Sequence, residues 1–136
     1  MRSIYLLLGL IAFGAVLAGC GGPSGPPTYP VTGEVTFDGK PLPTEGTIIF
    51  AHAAANLDAD VAQIIDGKFS LQVTEGKKQV QIHAAREVPG EVNTYGAPLV
   101  QPYIPQKYNG MSILTKQVSA TDENHFVFNL ESEPSK

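Results

Sequence analysis

The sequence predicts an all-β body, a two-layer sandwich of seven short strands, and three observations carry that prediction. From Pro30 onward the apolar residues return at every second position, the period of a pleated strand with one buried face. Asp38-Gly39 and Asp66-Gly67 interrupt such stretches, and Asp-Gly is the dipeptide that tight hairpin turns favour. No stretch after Cys20 has convincing helical spacing. Seven short antiparallel strands in roughly a hundred residues favour a sandwich over the alternative, a closed barrel.

The first element is not part of that body. In "MRSIYLLLGLIAFGAVLAGC", Arg2 gives a positive start, Ile4 to Val16 is almost wholly apolar, and small residues follow. This is the layout of a secretory signal peptide. The apolar stretch is shorter than the ~20 residues that span a bilayer comfortably, so an uncleaved membrane helix is the weaker reading. Leu17, Ala18, Gly19 and Cys20 resemble the lipobox of bacterial lipoproteins. The resemblance implies that residues 1–19 are a lipoprotein signal peptide and that Cys20 receives diacylglycerol, becomes the new N-terminus and is often acylated again. Thiol chemistry suits that transfer, because sulfur is the nucleophile it requires. Each buried methylene contributes about 0.8 kcal/mol, so two or three acyl chains make a near-permanent anchor.

Residues 20–29, "CGGPSGPPTY", read as the lipidated cysteine and a tether, mobile at its glycines and stiffened by Pro26-Pro27. At ~3.1 Å per extended residue the tether reaches roughly 30 Å. Gly21, where an aspartate signals inner-membrane retention in some bacteria, leaves the outer membrane as the default destination.

The strands of the body, residues 30–131, follow in order. "VTGEVTF" puts Val31, Gly33, Val35 and Phe37 on one face, and Pro41 and Pro43 stop the chain from continuing as a strand after the Asp38-Gly39 turn. "GTIIFAH" is the second strand. "VAQII" and "KFSLQV" flank Asp66-Gly67 as a hairpin. Glu75-Gly76 turns into "KKQVQIHAA", whose Val80, Ile82 and Ala84 face inward. "LTKQVS" and "NHFVFNL" complete the seven, the last with Phe126, Phe128 and Leu130 on one face. Residues 132–136 read as a disordered tail.

"VTGEVTFDGKPLPTEGTIIF" and "IIDGKFSLQVTEGKKQVQI" resemble the carboxypeptidase regulatory-like domain. Val31, Gly33, Val35, Gly39, Pro41, Asp66, Gly67, Phe69, Leu71 and Gly76 carry the match. "YIPQKYN" and "NHFVFNL" resemble the ends of short planctomycete lipoproteins. The resemblance implies a seven-stranded Greek-key β-sandwich of the prealbumin or transthyretin-like kind. Two departures stand out: "VAQIID" replaces the usual Thr-x-Thr-Asp, and Lys78 replaces the tyrosine of Gly-x-Tyr.

Composition narrows the function. The chain of 136 residues carries a net charge of −4 with nine Lys and Arg, so it lacks the basic stripe of a nucleic-acid binder. One cysteine allows no intramolecular disulfide, and stability rests on the apolar core. His52, His83 and His125 have no ligand-type pairing, and Asp58, Asp60 and Asp66 lack the glycine and terminal glutamate of a calcium loop, so no metal or cofactor is expected. Ser24 lies in the tether and Gly-x-Ser-x-Gly is absent. One enzyme branch of the transthyretin-like fold, the hydroxyisourate hydrolases, ends in Tyr-Arg-Gly-Ser, whereas this chain ends "NLESEPSK".

Between Arg86 and Ser112 the sequence predicts a long loop, in which Tyr95, Tyr103 and Tyr108 are accompanied by Pro98, Pro102 and Pro105. Long loops in compact domains are often functional, and tyrosine pairs an apolar face with a hydrogen-bonding tip. The three tyrosines are therefore candidate binding residues for a glycan or peptide. The competing assignment has Tyr103, Ile104 and Tyr108 closing the open end of the sandwich, which proline-fixed apolar segments often do. The expectation is a non-enzymatic, lipid-anchored envelope module on the periplasmic or outer-membrane face. Its partners are the membrane and an envelope protein or glycan.

Overall fold

Val31 and Val35 are fully buried while Thr32 and Glu34 beside them are not, and this alternation fixes the strand around which the structure is built. A computed structural model describes residues 25–52 and 58–134. The lipobox and Cys20 lie outside the described residues, as does the signal helix expected ahead of them. The central strand, β1 (Thr28–Phe37), starts at Thr28 rather than Pro30, because Thr28 and Tyr29 already pair with Thr74 and Val73.

Nine strands occur among the described residues where the sequence predicts seven. After β1 come β2 (Lys40–Pro41), β3 (Gly46–His52), β4 (Asp60–Ile64), β5 (Lys68–Thr74), β6 (Gly76–Val92), β7 (Pro98–Pro102), β8 (Thr115–Val118) and β9 (Asn124–Leu130). In one sheet β1 is flanked by β5 and β9, with β2 beside its last two residues. In the other, β3 lies between β4 and β6, and β6 also pairs with β7 and β8. The architecture is all-β with two open sheets and no α-helix among the described residues; a single turn of 3-10 helix spans Gln106–Tyr108.

The two sheets enclose one core. Val31, Val35, Phe69, Val73, Phe128 and Leu130 from the first meet Ile48, Phe50, Ile64, Val80, Ile82 and Val118 from the second. The Phe50 ring lies 6.1 Å from that of Phe69 and 6.3 Å from that of Phe126, within the range of favourable tilted aromatic contacts. Gly33 is the inward residue between Val31 and Val35. A Cβ there would collide with the Phe126 carbonyl oxygen and stand 2.6 Å from the Phe69 ring. Glycine at this place is what lets Phe69 lie across β1.

Both Asp-Gly turns form with the left-handed backbone that such turns require: φ is 49° and 78° at Asp38 and Gly39, and 51° and 74° at Asp66 and Gly67. The first closes Phe37 against Lys40, and its ladder ends at Pro41. The second is not the hairpin the sequence predicts. Only Ile65 and Lys68 bridge, after which β4 and β5 enter opposite sheets. The Gly67 carbonyl accepts the Val35 amide at 2.7 Å, which ties this corner to β1 instead.

Two further expectations are corrected. The pair β1–β9 is parallel, from Val31 opposite Asn124 to Phe37 opposite Leu130, so the strands are not all antiparallel. The segment predicted as a long loop is largely a two-stranded arm. β6 runs on to Val92, turns, and returns as β7, with Arg86 opposite Gln101 and Glu87 opposite Val100. The ladder is irregular between Glu87 and Val92, where Pro89 lacks an N–H and Gly90 has φ of 79°. At the tip, the Asn93 side-chain oxygen accepts the amides of Tyr95 at 2.9 Å and Ala97 at 3.1 Å, the local bonding that suits asparagine to turns.

Candidate functional site

The first turn and the return of the arm together shape a cleft. Phe37, Asp38, Lys40, Pro41, Pro43 and Thr44 contribute one wall, Arg86 and Tyr103 the other, around about 510 Å³. Each wall is held by the fold. The Tyr103 amide donates to the Ala84 carbonyl at 3.3 Å, as the chain leaves β7. The Tyr103 ring meets Phe37 edge to face, 5.3 Å between centroids, and its hydroxyl bonds Thr44 Oγ1 at 2.9 Å. Arg86, which follows Ala84 in the inward-facing row of β6 but lies beyond the core and is exposed, carries its guanidinium 6.0 Å from the Tyr103 ring centroid. Asp38 Oδ1 accepts the Ser132 amide at 2.8 Å, so the chain after β9 is bonded back onto the first turn.

The three candidate tyrosines separate. Tyr95 is 93% exposed at the tip of the arm, away from the cleft. Tyr103 is half-buried in the cleft wall. Tyr108 is buried in the core beside Ile104, and its hydroxyl accepts the Glu131 amide at 3.3 Å. One segment thus supplies a core residue, a cleft residue and an exposed tip.

A second cluster was not singled out from the sequence. Lys78, in β6, has no exposed surface. Its Nζ lies 2.6 Å from Thr74 Oγ1 and 2.9 Å from both ring nitrogens of His52, while Thr74 Oγ1 is 2.7 Å from His52 Nε2. The Thr74 amide donates to Asp60 Oδ2 at 3.4 Å. Burial lowers the Lys78 amine from the ordinary lysine value, and the Asp60 carboxylate opposes that shift. The signal in the sequence was a lysine standing at an inward position of an alternating strand, in the same row as Val80 and Ile82. These groups lie where β3 and β5 end and β4 and β6 begin, at the opposite end of β1 from the cleft.

The remaining candidates stay apart. His83 is exposed, 3.4 Å from the Gln81 side chain, and His125 bonds Thr32 across the β1–β9 pair at 3.0 Å. Asp66 occupies its turn and Asp58 is exposed. Among the described residues no three His, Cys, Asp or Glu side chains converge in a way that would hold a metal. Likewise no helix there is long and apolar enough to cross a membrane. Leu17, Ala18, Gly19, Cys20 and Ser24 lie outside the described residues. In comparisons with known proteins, no family model, no curated protein and no solved structure matches the chain.

Proposed function

We propose that the chain is a lipid-anchored module of the cell envelope whose body acts by contact rather than by catalysis. In this reading residues 1–19 are removed, Cys20 carries the acyl chains, and the tether delivers the body to the periplasmic or outer-membrane face. The observation that carries it is the course of β1. The strand leaves the tether at Thr28 and reaches the cleft at Phe37. Ten residues rising ~3.3 Å each set the cleft about 30 Å from the end of the body that the tether enters, at its far end. The two-sheet body supports the finer reading as a seven-stranded Greek-key sandwich of the carboxypeptidase regulatory-like kind, with β2 and β7 as additions.

The test is the anchor. Cys20→Ser moves the protein from the membrane fraction to the soluble fraction, and the intact mass of the wild type shows loss of residues 1–19 plus acyl chains. Retention of the variant in the membrane, or a mature chain starting at Met1, overturns the proposal.

A second reading, a module binding a glycan or peptide, is favoured by the half-buried Tyr103 ring in a cleft that also holds Lys40 and Arg86. A glycan or peptide array on which the wild type binds nothing would remove it, and binding unchanged in Tyr103→Ala would move it away from this cleft.

A further inference from the structure

We infer that the cleft between the Asp38-Gly39 turn and Tyr103 binds an acidic glycan, a saccharide carrying carboxylates, with Arg86 and Lys40 holding the charge. The inference rests on the second reading above and gives its ligand a chemical class.

Charge is the first argument. The chain is acidic overall, at −4, yet this cleft gathers two of its nine basic side chains. Among the described residues the one ion pair joins Lys68 to Glu34 at 4.0 Å, so neither Lys40 nor Arg86 has a carboxylate within that distance. The acid in the wall, Asp38, is engaged by the Ser132 amide through one oxygen. A guanidinium presents paired N–H groups that match a carboxylate, and Arg86 is poised over an aromatic wall with no acid among the described residues paired to its fork.

Shape is the second. Phe37, Pro41, Pro43 and Tyr103 offer ring and C–H surface to the apolar face of a sugar, while Thr44 and the tyrosine hydroxyl supply polar atoms beside it. The Tyr103 ring is fixed at two points, by Phe37 and Thr44, and its main chain by the Ala84 carbonyl, which lowers the ordering needed on binding. A volume of about 510 Å³ falls within the range of small-ligand clefts.

A peptide fits less well. Extended peptides bind by adding to a sheet edge, and the strand at this rim is β2, two residues long and ending in Pro41, with Pro43 beyond it. Neither proline has an N–H to offer a ladder.

The experiment is calorimetric titration of the full lipidated chain in detergent micelles at low salt. The probes are a galacturonic acid tetramer, a neutral glucose tetramer and a tetraglutamate peptide. The expected result is binding of the uronate alone, weakened about tenfold by Arg86→Gln or Lys40→Gln and by raised salt. Both side chains are exposed, so unchanged melting curves would confirm that the variants fold. Equal binding of the neutral tetramer, lost in Tyr103→Ala, overturns the acidic class while leaving a glycan cleft. Preference for the peptide overturns the glycan. Silence with all three probes overturns both the inference and the reading beneath it.

Discussion

The Lys78 amine and the Thr74 hydroxyl oxygen stand 2.6 Å apart inside the sandwich, four residues from one another across the corner that carries the chain from one sheet to the other. Thr74 is the last residue of β5, and Lys78 is the third of β6, so the contact spans that crossing. It also brings an ionisable group into a place where water does not reach it.

That placement has a pH signature. Because the folded protein holds the Lys78 amine below its ordinary value, the unfolded chain binds its proton more tightly. The penalty is therefore fully present below the folded value. It is relieved as pH rises through the folded value toward the unfolded one, and stability climbs across that alkaline window. Lys78→Met removes the buried charge and leaves Thr74 bonded to His52. It should raise unfolding free energy by about 1–2 kcal/mol at pH 7, with a smaller gain at pH 10. Denaturant titrations at the two pH values measure this, and a loss of stability at pH 7 would show that the cluster holds the corner together.

Gly33 gives a prediction about packing. A methyl group there runs into the Phe126 carbonyl, and that backbone belongs to β9, so relief requires parting the parallel pair. Gly33→Ala should cost more than about 3 kcal/mol. Gly110→Ala, where a Cβ meets nothing within 4 Å, should stay within about 0.5 kcal/mol of wild type. Thermal melts of the two variants side by side are sufficient; equal midpoints would contradict the packing of Phe69 across β1.

Tyr108 and Tyr95 should part company in the same assay. Tyr108→Ala empties a core position and frees the Glu131 amide, at a cost of about 3–5 kcal/mol. Tyr95→Ala at the arm's tip should change stability by less than about 0.5 kcal/mol. Comparable losses from both would mean that the arm packs on the body.

What could be read from the sequence was whatever leaves an alternating trace. Val31 and Val35, or Val80 and Ile82, bury one face, and their spacing alone shows it. The Asp-Gly turns were legible because few other dipeptides accept two consecutive left-handed residues. The arm was not, since the side chains of β7 are all exposed and main-chain bonds alone define it, which impose no pattern on residue type. The parallel register of β1 and β9 was hidden for a related reason: alternation fixes which side faces the core and is silent about direction. The cleft depended on that missing information. Lys40 and Tyr103 are 63 positions apart by residue number, and only the return of β7 brings the tyrosine to the turn. Of the three candidate tyrosines, composition treated as equals what the 3-10 turn and the arm then sent to three different environments.

The pairing of β1 with β9 reaches beyond the finished structure. Thr32 and His125 are 93 positions apart, and bonds such as theirs cannot form until the chain has been made as far as β9. A chain emerging N-terminus first therefore holds its central strand open on one flank until the closing segment arrives, and such non-local closure makes for slow acquisition of the native state. During that interval the uncovered edge of β1 is the surface most exposed to mispairing with a neighbouring copy, and a chaperone that shields extended segments would act there first.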